Sequence, residues 1–204
     1  MYKHIIWDFD GTLFDTYPVM GSIFKKMLEE EGIVEPLDEI LKYMKVSMSH
    51  ALRHYEKKYH INNAFIDKYN KQREDTEIHL SKPYTGIEEI CRYIHTSGKN
   101  NYLYTHRGES AIKFLKNYGL YDYFIDFITS QHGFERKPSP DAINYLVDKY
   151  NIVHNEAIMI GDRDLDILSA KNAGIHACFF TDKGEKSDIA DFTISNFQQL
   201  YSII

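Results

Sequence analysis

Short apolar runs recur along the chain at residues 5–7, 102–104, 124–128, 157–160 and 177–180, with a weaker one at 192–194. Each spans only a few residues, which favours strand over helix. Between most of them, apolar residues fall at helical spacing. Ile87, Ile90, Cys91 and Ile94 do so in 86–95, and Ile112, Phe114 and Leu115 in 110–118. Ile143, Leu146 and Val147 repeat the spacing in 141–150, and Ile167, Leu168 and Ala170 in 165–173. Nearly continuous apolar strands alternating with helices predict an α/β fold, a Rossmann-like parallel sheet with helices on both faces.

Residues 15–82 break this rhythm. They contain no strand pattern and predict amphipathic helices at 17–31, 37–44, 49–59 and 64–80, with residues 42–47 linking two of them. The expected organisation is an α/β core from 1–14 and 83–204, interrupted by an all-helical insertion at 15–82. Gly32 and the Lys82-Pro83 step read as boundaries.

Composition narrows the partners. A net charge of -6 argues against a nucleic-acid partner, which favours a basic face. Cys91 and Cys178 lie in apolar stretches with no CxxC pair, so two reduced, buried thiols are expected. The ten histidines form no HxH or HExxH pairing that would suggest zinc. The N-terminal apolar run is soon interrupted by acids and does not read as a signal peptide. No apolar run approaches the roughly 20 residues that span a bilayer. A cytoplasmic protein, monomer or homodimer, without a membrane or nucleic-acid partner is expected.

Chemistry-bearing residues follow the apolar runs. Asp8-Phe9-Asp10-Gly11-Thr12 follows the first, and Thr105-His106-Arg107-Gly108 the second. Lys137-Pro138 comes shortly after the third, and Gly161-Asp162-Arg163-Asp164-Leu165-Asp166 ends the fourth. The carboxyl ends of neighbouring parallel strands converge on one crevice, where ligands bind. Asp8 and Asp10 would repel unless a cation lay between them. An acidic site without His or Cys ligands suits a hard divalent cation such as magnesium. Gly11 and Thr12 offer backbone N–H groups to a phosphate. Lys137 offers a fixed positive charge, and Thr105 a hydroxyl donor.

These four segments, in this order, resemble the motifs of the haloacid dehalogenase-like superfamily, in the phosphoglycolate phosphatase-like branch with a helical cap after the first motif. The resemblance implies that 15–82 is the cap and that the substrate is a small phosphorylated metabolite. It implies that Asp8 attacks phosphorus to form an aspartyl-phosphate. Asp10 would protonate the leaving oxygen and then activate water. Magnesium would be held by the Asp8 carboxylate, the Asp10 carbonyl and the Asp162 carboxylate. Thr105 and Lys137 would hold the phosphoryl group, and Asp166 would orient Lys137 or a metal-bound water. Arg107 is read as a substrate or phosphate contact or as a solvated helix start, and His106 as a substrate contact or a surface side chain. Lys45, in the cap, is read as a contact for a second anionic group or as a solvated helix end.

Three other readings compete. A sugar phosphomutase resembles the same fold and motifs. A carbon–halogen hydrolase lacks the second acid, so Asp10 counts against it. A non-catalytic binding module has no need of a nucleophile beside a general acid.

Overall fold

A computed structural model describes residues 1–204, and the chain divides into two units: Met1–Phe14 with Pro83–Ile204, and Asp15–Lys82. In chain order the elements are β1 (His4–Trp7), β2 (Phe14–Asp15), α1 (Tyr17–Glu30), α2 (Leu37–Val46), α3 (Met48–Tyr59), α4 (Asn63–Leu80) and β3 (Lys82–Pro83). Then follow α5 (Ile87–Thr96), β4 (Asn100–Tyr104), α6 (Ser110–Asn117), β5 (Phe124–Ile128), α7 (Asp141–Tyr150), β6 (Ala157–Gly161), α8 (Asp164–Asn172), β7 (His176–Phe180) and β8 (Phe192–Ile194).

Six strands form one sheet in the order β5-β4-β1-β6-β7-β8, and every neighbouring pair is parallel. This is the α/β, Rossmann-like arrangement expected from the alternating pattern. Ile5, Ile6 and Trp7 of the central strand are fully buried, as a strand covered on both faces requires. Each contributes roughly 1.5–3 kcal/mol by leaving water. One core gathers Ile6, Tyr102 and Met159 of the sheet with Ile143 and Leu146 of α7 and Ile167 and Ala170 of α8. The buried Trp7 Nε1–H donates to Asn101 Oδ1 at 2.8 Å. Asn101 Nδ2 in turn donates to the carbonyls of Cys91 and Tyr123, both at 3.0 Å, so the polar atoms of this pair are satisfied.

The second unit packs α1 to α4 around Phe24, whose ring lies 5.2 Å from Tyr55, 5.6 Å from Phe65 and 5.1 Å from Tyr69. Gly21 lets α1 approach α2 closely, because a Cβ there would meet Leu41 Cδ2 at 2.6 Å and Leu37 Cδ1 at 2.9 Å. Two details differ from the sequence expectation. The structure continues α2 through Val46, leaving only Ser47 between α2 and α3. Ser47 is extended, and its Oγ accepts from the His50 N–H at 3.0 Å, which starts α3 at once. Asp15 and Lys82 lie in the two-residue strands β2 and β3, which pair with each other and are too short to produce an apolar run. No helix is long and apolar enough to cross a membrane.

Candidate active site

The sheet register brings the strand tips together. Trp7 of β1 pairs with Leu103 of β4 on one side and with Ile160 of β6 on the other. The next residues along these strands are therefore Asp8, Tyr104 and Gly161, followed by Thr105 and Asp162. The Asp8 N–H continues the ladder by donating to the Ile160 carbonyl at 2.9 Å, and the Thr105 N–H donates to Ile128 at 2.9 Å.

Lys137 enters from the segment between β5 and α7 and is fully enclosed. Its Nζ donates to Asp8 Oδ1 at 2.6 Å, Asp166 Oδ1 at 2.8 Å and the Tyr104 carbonyl at 2.9 Å, which uses all three ammonium donors. It also lies 4.4 Å from the centre of the Tyr104 ring. Burial alone would lower the Lys137 pKa, but the Asp166 and Asp8 carboxylates outweigh it and the net shift is upward, so Lys137 stays charged.

Asp8 has the opposite problem. Burial, then repulsion from Asp166, pushes its pKa up to about 6 against the pull of Lys137 and Arg163. Its Oδ2 is buried without a hydrogen-bond partner; Arg163 Nη2 lies 3.8 Å away. Oxygen atoms of Asp8, Asp162 and Asp166 all lie within 4.8 Å of one another. A buried all-oxygen set short of positive charge, with one carboxylate oxygen unbonded, fits a hard divalent cation. Both Asp166 oxygens are already engaged, Oδ1 by Lys137 and Oδ2 by the Arg163 N–H at 3.2 Å. That leaves Asp8 and Asp162 as the better carboxylate ligands.

The remaining candidates each have local surroundings of their own. Gly11 adopts a φ of 75°, and its N–H donates to the Phe14 carbonyl at 2.8 Å, closing the turn after Asp10. Thr12 is buried, with its Oγ1 lacking a hydrogen-bond partner. Thr105 Oγ1 accepts from the Arg107 N–H at 3.0 Å. His106 Nε2 accepts from the Lys137 N–H at 2.9 Å, which places the ring proton on Nδ1. Burial, followed by the charges of Lys137, Arg163 and Arg136, lowers the His106 pKa to about 3, so the ring is neutral. His106 thus fixes the backbone that carries Lys137. Arg107 grips Asp10: Nε donates to Oδ1 at 2.8 Å and Oδ2 at 3.0 Å, and Nη2 to Oδ1 at 2.6 Å. Lys45 belongs to the helical unit, where its Nζ lies 5.7 Å from the Tyr17 ring centre.

Four further residues, to which the sequence assigns no role, support the site. Arg163 faces three carboxylates at 3.6–3.8 Å. Gly161 lets Asp166 approach the strand, because a Cβ at 161 would lie 2.3 Å from Asp166 Cβ. Ser169 Oγ donates to the Ser139 carbonyl and Asn172 Nδ2 to the Pro138 carbonyl, both at 2.9 Å, pinning the segment behind Lys137. The available signal was the spacing of Asp166, Ser169 and Asn172, three apart on one face of α8.

This parallel α/β sheet, with a buried carboxylate–lysine–carboxylate cluster at its carboxyl edge, is that of a hydrolase. The chain belongs to the haloacid dehalogenase-like hydrolase family, whose model matches residues 5–180. It is 27% identical to a phosphoglycolate phosphatase of Vibrio vulnificus, covering 99% of this chain and 96% of that protein. It is 30% identical to the pyrophosphatase PpaX of Halalkalibacterium halodurans, covering 84% and 80%. Among solved structures, a hydrolase from Streptococcus pneumoniae is 30% identical with a TM-score of 0.71, and 98% of each chain is covered.

Proposed function

We propose that this enzyme is a magnesium-dependent phosphatase that hydrolyses a small phosphorylated metabolite through an aspartyl-phosphate on Asp8. The observation that carries this reading is the buried Asp8–Lys137–Asp166 cluster with Asp162 beside it. A lysine that used its charge only for packing would not need two enclosed carboxylates, one with an unbonded oxygen.

The residues divide the work as follows. Lys137 holds Asp8 through Oδ1, orienting the carboxylate toward an incoming phosphorus. An Asp8 oxygen forms the new O–P bond while the bond to the leaving oxygen breaks, and Asp10 gives that oxygen a proton. The Asp10 side chain is 22% exposed, so it can meet both ester and water. In the second half Asp10 takes a proton from water, the water oxygen bonds to phosphorus, and inorganic phosphate leaves with Asp8 restored. Thr105, whose Oγ1 accepts from the Arg107 N–H, offers its own hydroxyl proton to a phosphoryl oxygen. Lys137 contributes its positive charge, its three donors being held by Asp8, Asp166 and the Tyr104 carbonyl. Gly11 shapes the loop, with its N–H held by Phe14. The Asp8 and Asp162 carboxylates and the Asp10 carbonyl would hold magnesium, which would supply positive charge for the transferring phosphoryl group. The helical unit acts as a cap that selects the substrate, with Lys45 meeting a second anionic group. Phosphoglycolate and pyrophosphate are the first substrates to try, given the names of the relatives.

The test is turnover of p-nitrophenyl phosphate with magnesium, with excess chelator, and with Asp8→Asn. Chelator abolishes turnover, and Asp8→Asn lowers it by about 10⁴-fold or more while the fold is retained. Undiminished turnover in chelator would remove the metal from the account, and near-normal rates in Asp8→Asn would remove the nucleophile.

A further inference from the structure

Arg107 stands out because its side chain is better enclosed than the acid it holds. It is 4% exposed, against 22% for Asp10. Its guanidinium carbon lies 5.1 Å from the Phe9 ring centre and 5.5 Å from that of Phe114. Its backbone is tied at both ends, the N–H to Thr105 Oγ1 at 3.0 Å and the carbonyl to the Ser130 N–H at 2.8 Å. Thr105 in turn is hydrogen-bonded to β5 through Ile128. The guanidinium is thus anchored to the sheet through the loop after β4, and it reaches across to the loop after β1.

We infer that Arg107 is a positioning residue for Asp10: its two-nitrogen grip on the Asp10 carboxylate sets where this acid meets the leaving oxygen and the attacking water. The inference rests on the reading of Asp10 as the proton carrier. A guanidinium that donates from Nε and Nη2 fixes both the place and the plane of a carboxylate. Asp10 lies beyond β1, in a single bridge with Phe14 and just before Gly11, whose φ of 75° makes the turn, so its carboxylate needs orientation beyond that bridge. The fork from the neighbouring loop supplies it. The same enclosure sets Arg107 apart from a phosphate contact, since reaching substrate would break the Asp10 pair and leave the aromatic rings that cover it. A lysine in its place would keep the charge and lose the plane.

The test is the single-turnover release of phenol from a series of substituted phenyl phosphates with magnesium present. Wild type, Arg107→Lys, Arg107→Gln and Asp10→Asn are compared, and circular dichroism checks the fold of each. A nitro-rich leaving group departs without a proton, whereas phenol itself needs one. Both Arg107 variants are expected to lose about ten- to a hundredfold on phenyl phosphate and little on 2,4-dinitrophenyl phosphate, with Arg107→Lys the milder. Asp10→Asn is expected to show the same slope, more steeply. Arg107→Lys keeps the charge and most of the length, so it tests the point even if Arg107→Gln fails to fold. Losses by one common factor across the series, or no loss, with Asp10→Asn still sloped, would overturn the positioning role alone. A flat response in Asp10→Asn would overturn the proton-carrier reading, and this inference with it.

Discussion

In the helical unit, Phe24 is surrounded by three aromatic rings centred 5.1–5.6 Å away. At the carboxyl edge of the sheet, Lys137 is surrounded by two carboxylates and a carbonyl at 2.6–2.9 Å. Both groups are buried, but for different reasons. The rings gain free energy simply by leaving water, and many arrangements of similar volume would serve as well. The charges lose hydration on burial and recover it only in one geometry, so their enclosure is poor value for stability alone. The contrast teaches where to look for chemistry: a buried polar cluster that a hydrophobic one could have replaced has another use.

Three substitutions probe this contrast. Lys137→Ala has the largest expected effect. It leaves Asp8 and Asp166 enclosed without their ammonium, which costs about 3–5 kcal/mol in urea unfolding and removes nearly all turnover. Magnesium should restore part of that stability, because the cation would lie against Asp8, one of the two carboxylates left without the ammonium. Phe24→Ala should cost a similar 3–5 kcal/mol in stability alone, through the cavity it leaves. Added magnesium should give no recovery specific to that variant, and a recovery equal to that of Lys137→Ala would break the contrast. Lys45→Ala should have the smallest effect on stability, since a lysine at 5.7 Å over the Tyr17 ring contributes about 0.5–1 kcal/mol. It should reorder a panel of phosphorylated metabolites by kcat/KM more than it changes p-nitrophenyl phosphate turnover. Equal losses on every substrate would assign Lys45 to folding.

Much of the sheet was legible because a strand buried on both faces must be apolar throughout, and Ile5-Ile6-Trp7 or Ala157 to Ile160 can hardly be anything else. Asp8, Thr105, Lys137 and Asp162 were legible because each follows such a run, and parallel strands carry their tips to one edge. Side-chain direction was harder to read. Nothing in Thr105-His106-Arg107 says that the histidine accepts from the Lys137 N–H while the arginine turns to Asp10. Those partners, Lys137 for the histidine and Asp10 with Phe9 for the arginine, come from elements distant in sequence, while Phe114, which also covers the guanidinium, lies only one element on. Arg163 gains its three carboxylate neighbours only once the start of α8 is placed beside Asp8, which an arginine between acids does not announce. Ser47 shows the limit for boundaries: one capping hydroxyl suffices to join two helices where the pattern suggests a longer link.

The central claim is that Asp8 accepts the phosphoryl group. Stopping turnover by rapid quench and reducing with borohydride converts an acyl phosphate on aspartate into homoserine, which peptide mass spectrometry can place. The account predicts homoserine at residue 8 and none in Asp8→Asn. Homoserine at another position, or unmodified Asp8 while the quenched enzyme was turning over ester at full rate, would contradict it.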